Sequence, residues 1–288
     1  MLFTLVMASS TSCNKDDDDN SSGQGYENVR LELTQIPDLG FDYFFHVWLE
    51  HENQILDMGE IVLSMPGQDF TGNFNVGKEI ANSSFRMFVT VEPFDDTDPG
   101  PSEWVIWEVQ FEADDLIINS TPFVNSGNSD IASGSYILAT PTTSSNADEF
   151  SGIWFVSDAN QPQAGLELPQ LNGNWTYEGW VQVDGNLLST GQFDDPSGSD
   201  SRSTYSSGER PPYPFPGEDF VNALPGIPPP DLRGKECFVT IEPKDNNTSP
   251  FFLNLLEAEI DNDAPSRVSQ SLSNTEKKDW LLVDVTRY

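Results

Sequence analysis

Apolar and polar residues alternate with a period of two along most of the chain. Met87, Val89 and Val91 fall on one face of a predicted strand, and residues 237–241 repeat the same alternation. No stretch keeps the apolar spacing of a helix over three turns, and 21 glycines and 21 prolines interrupt the longer segments. The pattern therefore predicts an all-β protein built from short antiparallel strands.

Two segments that lie 132 positions apart share one hairpin pattern. Residues 45–61 read "FHVWLEHENQILDMGEI" and residues 177–193 read "YEGWVQVDGNLLSTGQF", so that Trp48 aligns with Trp180 and Gly59 with Gly191 without a gap. Each segment is an alternating run, a turn containing Asn or Gly, and a second run. This order is typical of a β-hairpin.

A second pair of matching segments follows in the same order. Residues 87–93 read "MFVTVEP" and residues 237–243 read "CFVTIEP", and each proline is expected to end its strand. A polar turn and another alternating run come next in both halves. We therefore predict two tandem antiparallel β-sandwich modules related by internal duplication, at residues 29–160 and 161–288.

Other segments fill in this architecture. The apolar runs at residues 135–142, 152–156 and 280–285 predict further strands. Residues 194–234 form a long insert in the second module, and their serine, glycine and proline content predicts an irregular loop. Long loops in compact domains are commonly functional or mobile.

The charge of the chain excludes one class of partner. There are 47 acidic residues against 13 Lys and Arg, which gives a formal net charge of −34. Such a surface repels nucleic acid. The 19 Phe, 7 Trp and 7 Tyr are too many for a disordered acidic chain. We expect a folded monomer with an acidic surface and no nucleic-acid partner.

The two cysteines call for separate explanations. Cys237 lies on the predicted core face of its strand, where a thiol behaves as a small inert apolar group. Cys13 follows a short apolar run, residues 2–8, and a series of small residues. That run is too short to span a membrane and has the order of an export signal.

The segment "STSCNKDDDDN" around Cys13 resembles a bacterial lipoprotein signal followed by the acidic surface-export signal of Bacteroidota lipoproteins. The resemblance implies that residues 1–12 are removed, that Cys13 is lipidated, and that residues 13–28 form an acidic tether. It assigns surface export to Lys15, Asp16, Asp17, Asp18 and Asp19, and attaches the protein to the outer membrane through the lipid at Cys13. The alternative is an acidic tail with an incidental cysteine.

The hairpin, the "VTxEP" strand and the acidic turn together resemble the extracytoplasmic β domain of anti-sigma factors, over roughly residues 31–112 and 166–260. The resemblance implies a β-sandwich outside the inner membrane. Complete anti-sigma factors also have a cytoplasmic helical domain that binds the sigma factor, and a membrane span. The sequence pattern of this chain predicts neither part, so the resemblance does not imply sigma-factor binding.

Few residues suggest a catalytic, metal or cofactor site. His46 and His51 are five apart and face opposite sides of an ideal strand, which argues against a shared zinc ion. The sequence contains no nucleophile elbow, phosphate loop or paired-cysteine metal motif, and no other cofactor is expected. Asp95, Asp96 and Asp98 could offer oxygen ligands to calcium at one loop tip. The same residues are also ordinary turn formers.

Aromatic residues suggest a second kind of site. Trp104 and Trp107 lie three apart and should face opposite sides of a strand, so that one is buried and the other available to a ligand. Trp104, together with Tyr205 and Tyr213 of the insert, could stack on sugar rings. The alternative is packing at the rim of the sandwich.

These observations favour a non-catalytic cell-surface lipoprotein whose tandem β modules bind or scaffold an envelope protein or a glycan. The competing hypothesis is an extracellular hydrolase that uses a pair of carboxylates, which no motif can single out among 47 acidic residues.

Overall fold

The computed structural model describes residues 25–40, 42–63, 67–112, 115–126, 132–143, 146–202, 204–207, 213–222, 228–244, 249–275 and 282–288. These residues form antiparallel sheets with little helix, which confirms the all-β prediction. The strands are β1 (Asn28–Thr34), β2 (Tyr43–His51), β3 (Gln54–Glu60), β4 (Phe70–Asn75), β5 (Phe85–Pro93), β6 (Val105–Glu112), β7 (Asp115–Asn119), β8 (Val124–Ser126), β9 (Ser133–Leu138), β10 (Gly152–Trp154), β11 (Leu166–Glu167), β12 (Gln170–Leu171), β13 (Trp175–Val183), β14 (Asn186–Phe193), β15 (Gly217–Asp219), β16 (Glu236–Pro243), β17 (Leu253–Glu259), β18 (Gln270–Asn274) and β19 (Leu282–Arg287). The helical segments are α1 (Gly77–Ala81) and two 3₁₀ turns, Asn146–Ser151 and Phe220–Asn222.

The first predicted hairpin is formed by β2 and β3, in a sheet of strand order β3-β2-β5-β6-β7. Glu52 and Asn53 make its two-residue turn, with φ angles of 50° and 63°. Positive φ at both central residues is the geometry whose twist matches that of paired strands. The four strands β2, β3, β5 and β6 are called the first unit below.

The second hairpin is formed by β13 and β14, with Asp184 and Gly185 at the turn as predicted. Its sheet has the order β14-β13-β16-β17-β18-β9-β10-β15, and β11 pairs with β9. The strands β13, β14, β16 and β17, called the second unit, repeat the strand order of the first unit.

The two units also share their irregularities. The register of β2 on β3 shifts beside Trp48, and that of β13 on β14 shifts beside Trp180. A second shift occurs beside Thr90 in the first unit and beside Thr240 in the second. A bulge adds one residue to one strand and re-aims the side chains next to it. The units are therefore alike in order, register and bulges.

Buried residues from the separate sheets meet in one hydrophobic cluster. Strand β1 pairs with β4 and β19, and its buried Val29, Leu31 and Leu33 join the cluster from the three-stranded sheet. Strand β9 lies in the same sheet as β18, so strands from either side of residue 160 pair with each other. The domain boundary at residue 160 stays a prediction.

Cys237 lies within this cluster, fully buried on β16. Burial raises the pKa of its thiol, because the thiolate would lose its hydration. The placement agrees with the expectation of an inert core cysteine.

The insert is more ordered than its composition predicts, because part of it joins the sheet. Strand β15 within it pairs with β10 at the edge of the large sheet. Asp200, in the same insert, accepts hydrogen bonds from the amides of Gly217 (2.9 Å) and Arg202 (3.0 Å). The expectation of an irregular loop was wrong for Gly217–Asp219, because they pair with β10, whereas residues 194–202 are irregular as expected.

Asp219, at the end of β15, holds the insert to residues outside it through hydrogen bonds. Its Oδ1 accepts from Trp154 Nε1 at 2.8 Å and its Oδ2 accepts from the Thr142 amide at 2.8 Å. Burial raises the pKa of Asp219 and of Glu218, and raises that of Asp200 to about 7. The insert is thus fixed by carboxylates whose charged form is disfavoured by the protein.

Candidate functional site

An open cavity of about 400 Å³ lies on the first unit. Aromatic side chains contribute to its wall: Phe44, Trp48 and Phe94. Carboxylates also line it: Asp57, Glu60, Glu92, Asp96 and Asp98. The other lining residues are His46, Pro93, Pro99 and Gly100, and none of the described lining residues is a lysine or an arginine. This cavity is called the Trp48 pocket.

Strand geometry explains how these residues meet. Phe44, His46 and Trp48 are two apart along β2 and therefore project from one face. The bulge beside Trp48 changes the register of β3, so that Trp48 is opposite Asp57 and His46 is opposite Glu60. Two carboxylates of the edge strand thereby face the same pocket, although they are three apart in sequence.

His46 and Asp57 form the polar side of the pocket. His46 Nε2 lies 2.6 Å from Asp57 Oδ1, and the imidazole stacks on the Trp48 ring with centroids 4.3 Å apart. The hydrogen bond with His46 holds the pKa of Asp57 below its usual range. The His46 side chain is 11% exposed, whereas the Asp57 side chain is 65% exposed. A ligand would therefore meet the carboxylate first.

A chain of hydrogen bonds fixes the floor of the pocket. Trp48 Nε1 donates to Thr90 Oγ1 at 2.8 Å, and the Thr90 hydroxyl donates to Glu92 Oε1. The Ser102 amide donates to both oxygens of Glu92, at 3.0 and 3.1 Å. Because an indole nitrogen can only donate, the direction of the chain is set and Glu92 acts as its final acceptor. The floor is rigid.

The acidic turn forms the rim. Asp96 Oδ1 accepts from the Asp98 amide at 2.8 Å and Asp98 Oδ1 accepts from the Gly100 amide at 3.0 Å, which are turn-forming bonds. Phe94 beside them is 76% exposed. Within the described residues no three His, Cys, Asp or Glu side chains are grouped as metal ligands. Calcium binding by Asp95, Asp96 and Asp98 stays a prediction.

The corresponding face of the second unit is closed. Glu178, Ser189 and Gln192 stand where the first unit has His46, Asp57 and Glu60, as the registers show. Glu178 is 0% exposed and accepts hydrogen bonds from the Ser189 hydroxyl and from Gln192 Nε2 (3.2 Å). The same strand framework thus carries an open acidic pocket in one unit and a buried polar cluster in the other.

The remaining predicted site residues lie elsewhere. Trp104 is half-buried with its ring 6.0 Å from Tyr43, while Trp107 is in the core. Tyr205 is half-buried against Phe220. Tyr213 is 5% exposed and packs on Trp154, so its ring offers no free face for stacking.

The residues of the predicted lipoprotein signal, namely Cys13, Lys15, Asp16, Asp17, Asp18 and Asp19, lie outside the described residues. Residues 245–248, the turn of the second unit that corresponds to the acidic rim of the first, also lie outside the described residues. Across the part of the chain that is described, no helix has the length and hydropathy to cross a membrane.

Sequence reasoning did not assemble the Trp48 pocket. The sequence pattern raises His46 only as a candidate zinc ligand and does not indicate a role for Asp57 or Glu92 in a site. Two signals were present in the sequence: the alternation of Phe44, His46 and Trp48 on one face, and Gly59, since a glycine inside a strand often marks a bulge.

The Trp48 pocket offers mainly hydrogen-bond acceptors and aromatic faces. An ionised carboxylate accepts hydrogen bonds but cannot donate them, and aromatic faces attract cations or the C–H faces of sugars. The pocket therefore suits a ligand rich in donors, either cationic or hydroxylated. Comparison with protein-family models, with curated proteins and with solved structures finds no match for this chain.

Proposed function

We propose that this protein is a cell-surface lipoprotein that binds an extracellular or envelope partner through the Trp48 pocket. The open pocket on a rigid strand framework carries the proposal, because pre-formed concave sites with aromatic walls and few fixed polar groups are the usual form of binding sites. The sequence around Cys13 supports a lipid anchor on the outer membrane, with the β units outside the cell.

Binding without catalysis is the simplest use of this geometry. Both oxygens of Glu92 already accept hydrogen bonds from the protein, and Asp57 is paired with His46. A general acid would need a carboxyl group with a raised pKa close to the substrate. The pKa of Asp57 is lowered instead.

The two units derive from one ancestral unit by duplication. The shared strand order, the matched bulges and the matched hydrogen-bond chains from Trp48 and from Trp180 support this origin. The "VTxEP" strand supports common ancestry with the extracytoplasmic β domain of anti-sigma factors, without sigma-factor binding.

The experiment uses the mature chain as bait on the envelope of its own cells and on a glycan array. Retention of a protein or glycan by the wild type, with loss on Phe94→Ala, would support the proposal, since Phe94 is exposed at the rim and bears on no core contact. Val62→Ala is the matched control, because Val62 is 77% exposed and does not line the pocket. Equal retention by both variants, or turnover of a substrate that a single carboxylate substitution abolishes, would contradict it.

A further inference from the structure

The closed face of the second unit shows what can cover such a site. Residues 200–202 of the insert run beside the edge strand β14: the Ser201 amide donates to the Gln192 carbonyl at 2.8 Å, and the Gln192 amide donates to Ser201 Oγ at 3.2 Å. The contact is close, since a Cβ built on Gly191 would lie 3.1 Å from Arg202 Cβ. Residues 200–202, which bend at Ser201, thus cover the free edge of β14 and share one backbone hydrogen bond with it.

This segment brings a cation to the buried carboxylate. Burial raises the pKa of Glu178, while its hydrogen bonds and the charge of Arg202 act in the opposite direction. Glu178 is the only carboxyl group that the strand pair presents there among its described residues, because Ser189 and Gln192 replace the carboxylates of the first unit. The charge of Arg202 therefore acts on the carboxyl group of this face.

The first unit has the same edge and more charge, but no segment among the described residues covers that edge. Strand β3 ends its sheet, and Glu60, which corresponds to Gln192, is exposed. Asp57 and Glu60 face the pocket together with the acidic rim at Asp96 and Asp98. The pocket thus presents acceptors and aromatic faces at the place where the second unit receives an arginine-bearing segment.

We propose that the Trp48 pocket receives an extended, basic segment of a partner protein, which pairs with the β3 edge at Glu60 and places an arginine or lysine side chain against Asp57 and Phe94. This inference rests on the proposed function and names its partner class. Backbone pairing supplies affinity, and the cation in the pocket supplies selectivity. A charge-assisted hydrogen bond to a carboxylate is among the stronger polar contacts.

Charge argues against the two nearest alternatives. A second copy of this chain carries the same formal charge of −34 and would meet the pocket with repulsion. The chain's own residues 200–202 are held in the second unit, where Asp200 accepts from the Gly217 amide. A basic partner is attracted by the whole acidic surface before it docks.

The test is a calorimetric and NMR titration of the mature protein with a defined probe. The probe is the peptide acetyl-Ser-Thr-Ser-Thr-Arg-Thr-Ser-Thr-Ser-amide, in which β-branched threonines favour an extended backbone. Its matched control replaces arginine by citrulline, which keeps the shape and removes the charge. We expect the arginine peptide to bind at least ~10-fold more tightly, as expected for loss of one charged hydrogen bond.

Protein variants locate the binding. Asp57→Asn and Glu60→Gln should each weaken binding of the arginine peptide by about 10-fold, whereas Glu167→Gln, an exposed carboxylate on β11, should leave it unchanged. In the NMR titration the indole N–H signal of Trp48 should shift and that of Trp180 should not. Equal affinity for both peptides, or no binding by either, would overturn the inference.

The two proposals can fail separately. If the envelope or glycan ligand is lost on Phe94→Ala while the arginine peptide does not bind, the pocket is a binding site for another class of ligand and this inference falls. If Phe94→Ala leaves capture from the envelope unchanged, the proposed function itself falls, and this inference falls with it.

Discussion

Trp48 and Trp180 occupy equivalent positions, and each indole nitrogen donates to a threonine hydroxyl on the neighbouring strand, at 2.8 Å to Thr90 and 3.0 Å to Thr240. Each threonine in turn donates to a glutamate two residues further along its strand. The same chain of donors thus links a hairpin to the next strand in both units, and it lies beneath an open pocket in one and a covered face in the other.

The glutamates that end these chains should contribute to stability. Glu242 also accepts from the Phe251 amide at 2.8 Å, as Glu92 does from Ser102. Glu92→Gln or Glu242→Gln turns one acceptor into a donor and should lower the free energy of unfolding by about 1–3 kcal/mol. Urea denaturation measures this change in the free energy of unfolding. Glu103→Gln, on an exposed side chain in the same region, is the control, and an equal effect there would refute the assignment.

The insert should make stability depend on pH in an unusual direction. The pKa of Asp200 is raised to about 7 by burial, so its protonated form is favoured in the folded state. Its contribution is therefore full below the ordinary pKa near 4 and is lost as pH rises through about 7, with an upper limit of roughly 4 kcal/mol. Glu178, Glu218 and Asp219, whose pKa values are also raised, act in the same sense.

The variant Asp200→Asn isolates this effect. We expect the difference in unfolding free energy between pH 5 and pH 8 to change by up to a few kcal/mol relative to the wild type, with the wild type losing more stability at the higher pH. Asp195→Asn is a suitable control because hydrogen bonds from Ser197 lower the pKa of Asp195. Identical pH profiles for the wild type and Asp200→Asn would exclude Asp200 as the titrating group.

The hairpin turn of the second unit needs its glycine. Gly185 has a φ of +83°, where a side chain is strained although no atom lies within 4 Å of the added Cβ. Gly185→Ala should destabilise the protein by about 1–2 kcal/mol. Gly173→Ala is the matched control, since its site is equally open and its φ is not in the positive range. Thermal melting compares the two, and equal midpoints would count against strain at the turn.

Lipidation gives a prediction in cells. Cys13→Ser should move the protein out of the outer-membrane fraction, because the acyl chains that hold it there can no longer be attached. Replacing Asp16, Asp17, Asp18 and Asp19 by asparagine should keep it in the membrane but remove it from the reach of added protease. A membrane-bound Cys13→Ser protein would show that the cysteine is incidental.

Calcium binding at the acidic turn is tested by the melting temperature. Added Ca²⁺ should raise the melting temperature if Asp95, Asp96 and Asp98 supply ligands, since an ion that binds only the folded state stabilises that state. The rise should disappear in Asp98→Asn. Absence of any shift in the wild type would contradict a calcium site at this turn.

Local pattern was sufficient for both hairpins and for the strand that follows each of them, whereas it did not predict β1, β4, β7, β8, β11, β12 or β18. Period-two alternation predicts β5 and β16, and the pairing of a turn with flanking alternating runs predicts both hairpins, with Asp184 and Gly185 at one tip. These features depend on neighbours in sequence, which is why they could be read there. The same alternation predicts which face of β5 and of β16 packs in the core.

The candidate site depended on contacts distant in sequence. The bulge beside Trp48 decides that Asp57 and Glu60 face His46, and the order of strands decides that Glu92 lies beneath the same pocket. Tyr213 was expected at the surface, and its burial against Trp154 results from the docking of the insert, which composition could not indicate.

The sequence by itself determined the class of fold, both hairpins, the inert burial of Cys237 and the acidity of the surface, because alternation and charge are properties of the chain. Only the tertiary structure decided which of two similar units is open. A face that both units present is covered where residues 200–202 reach it and free where no described segment does, and burial of this kind depends on where distant segments pack.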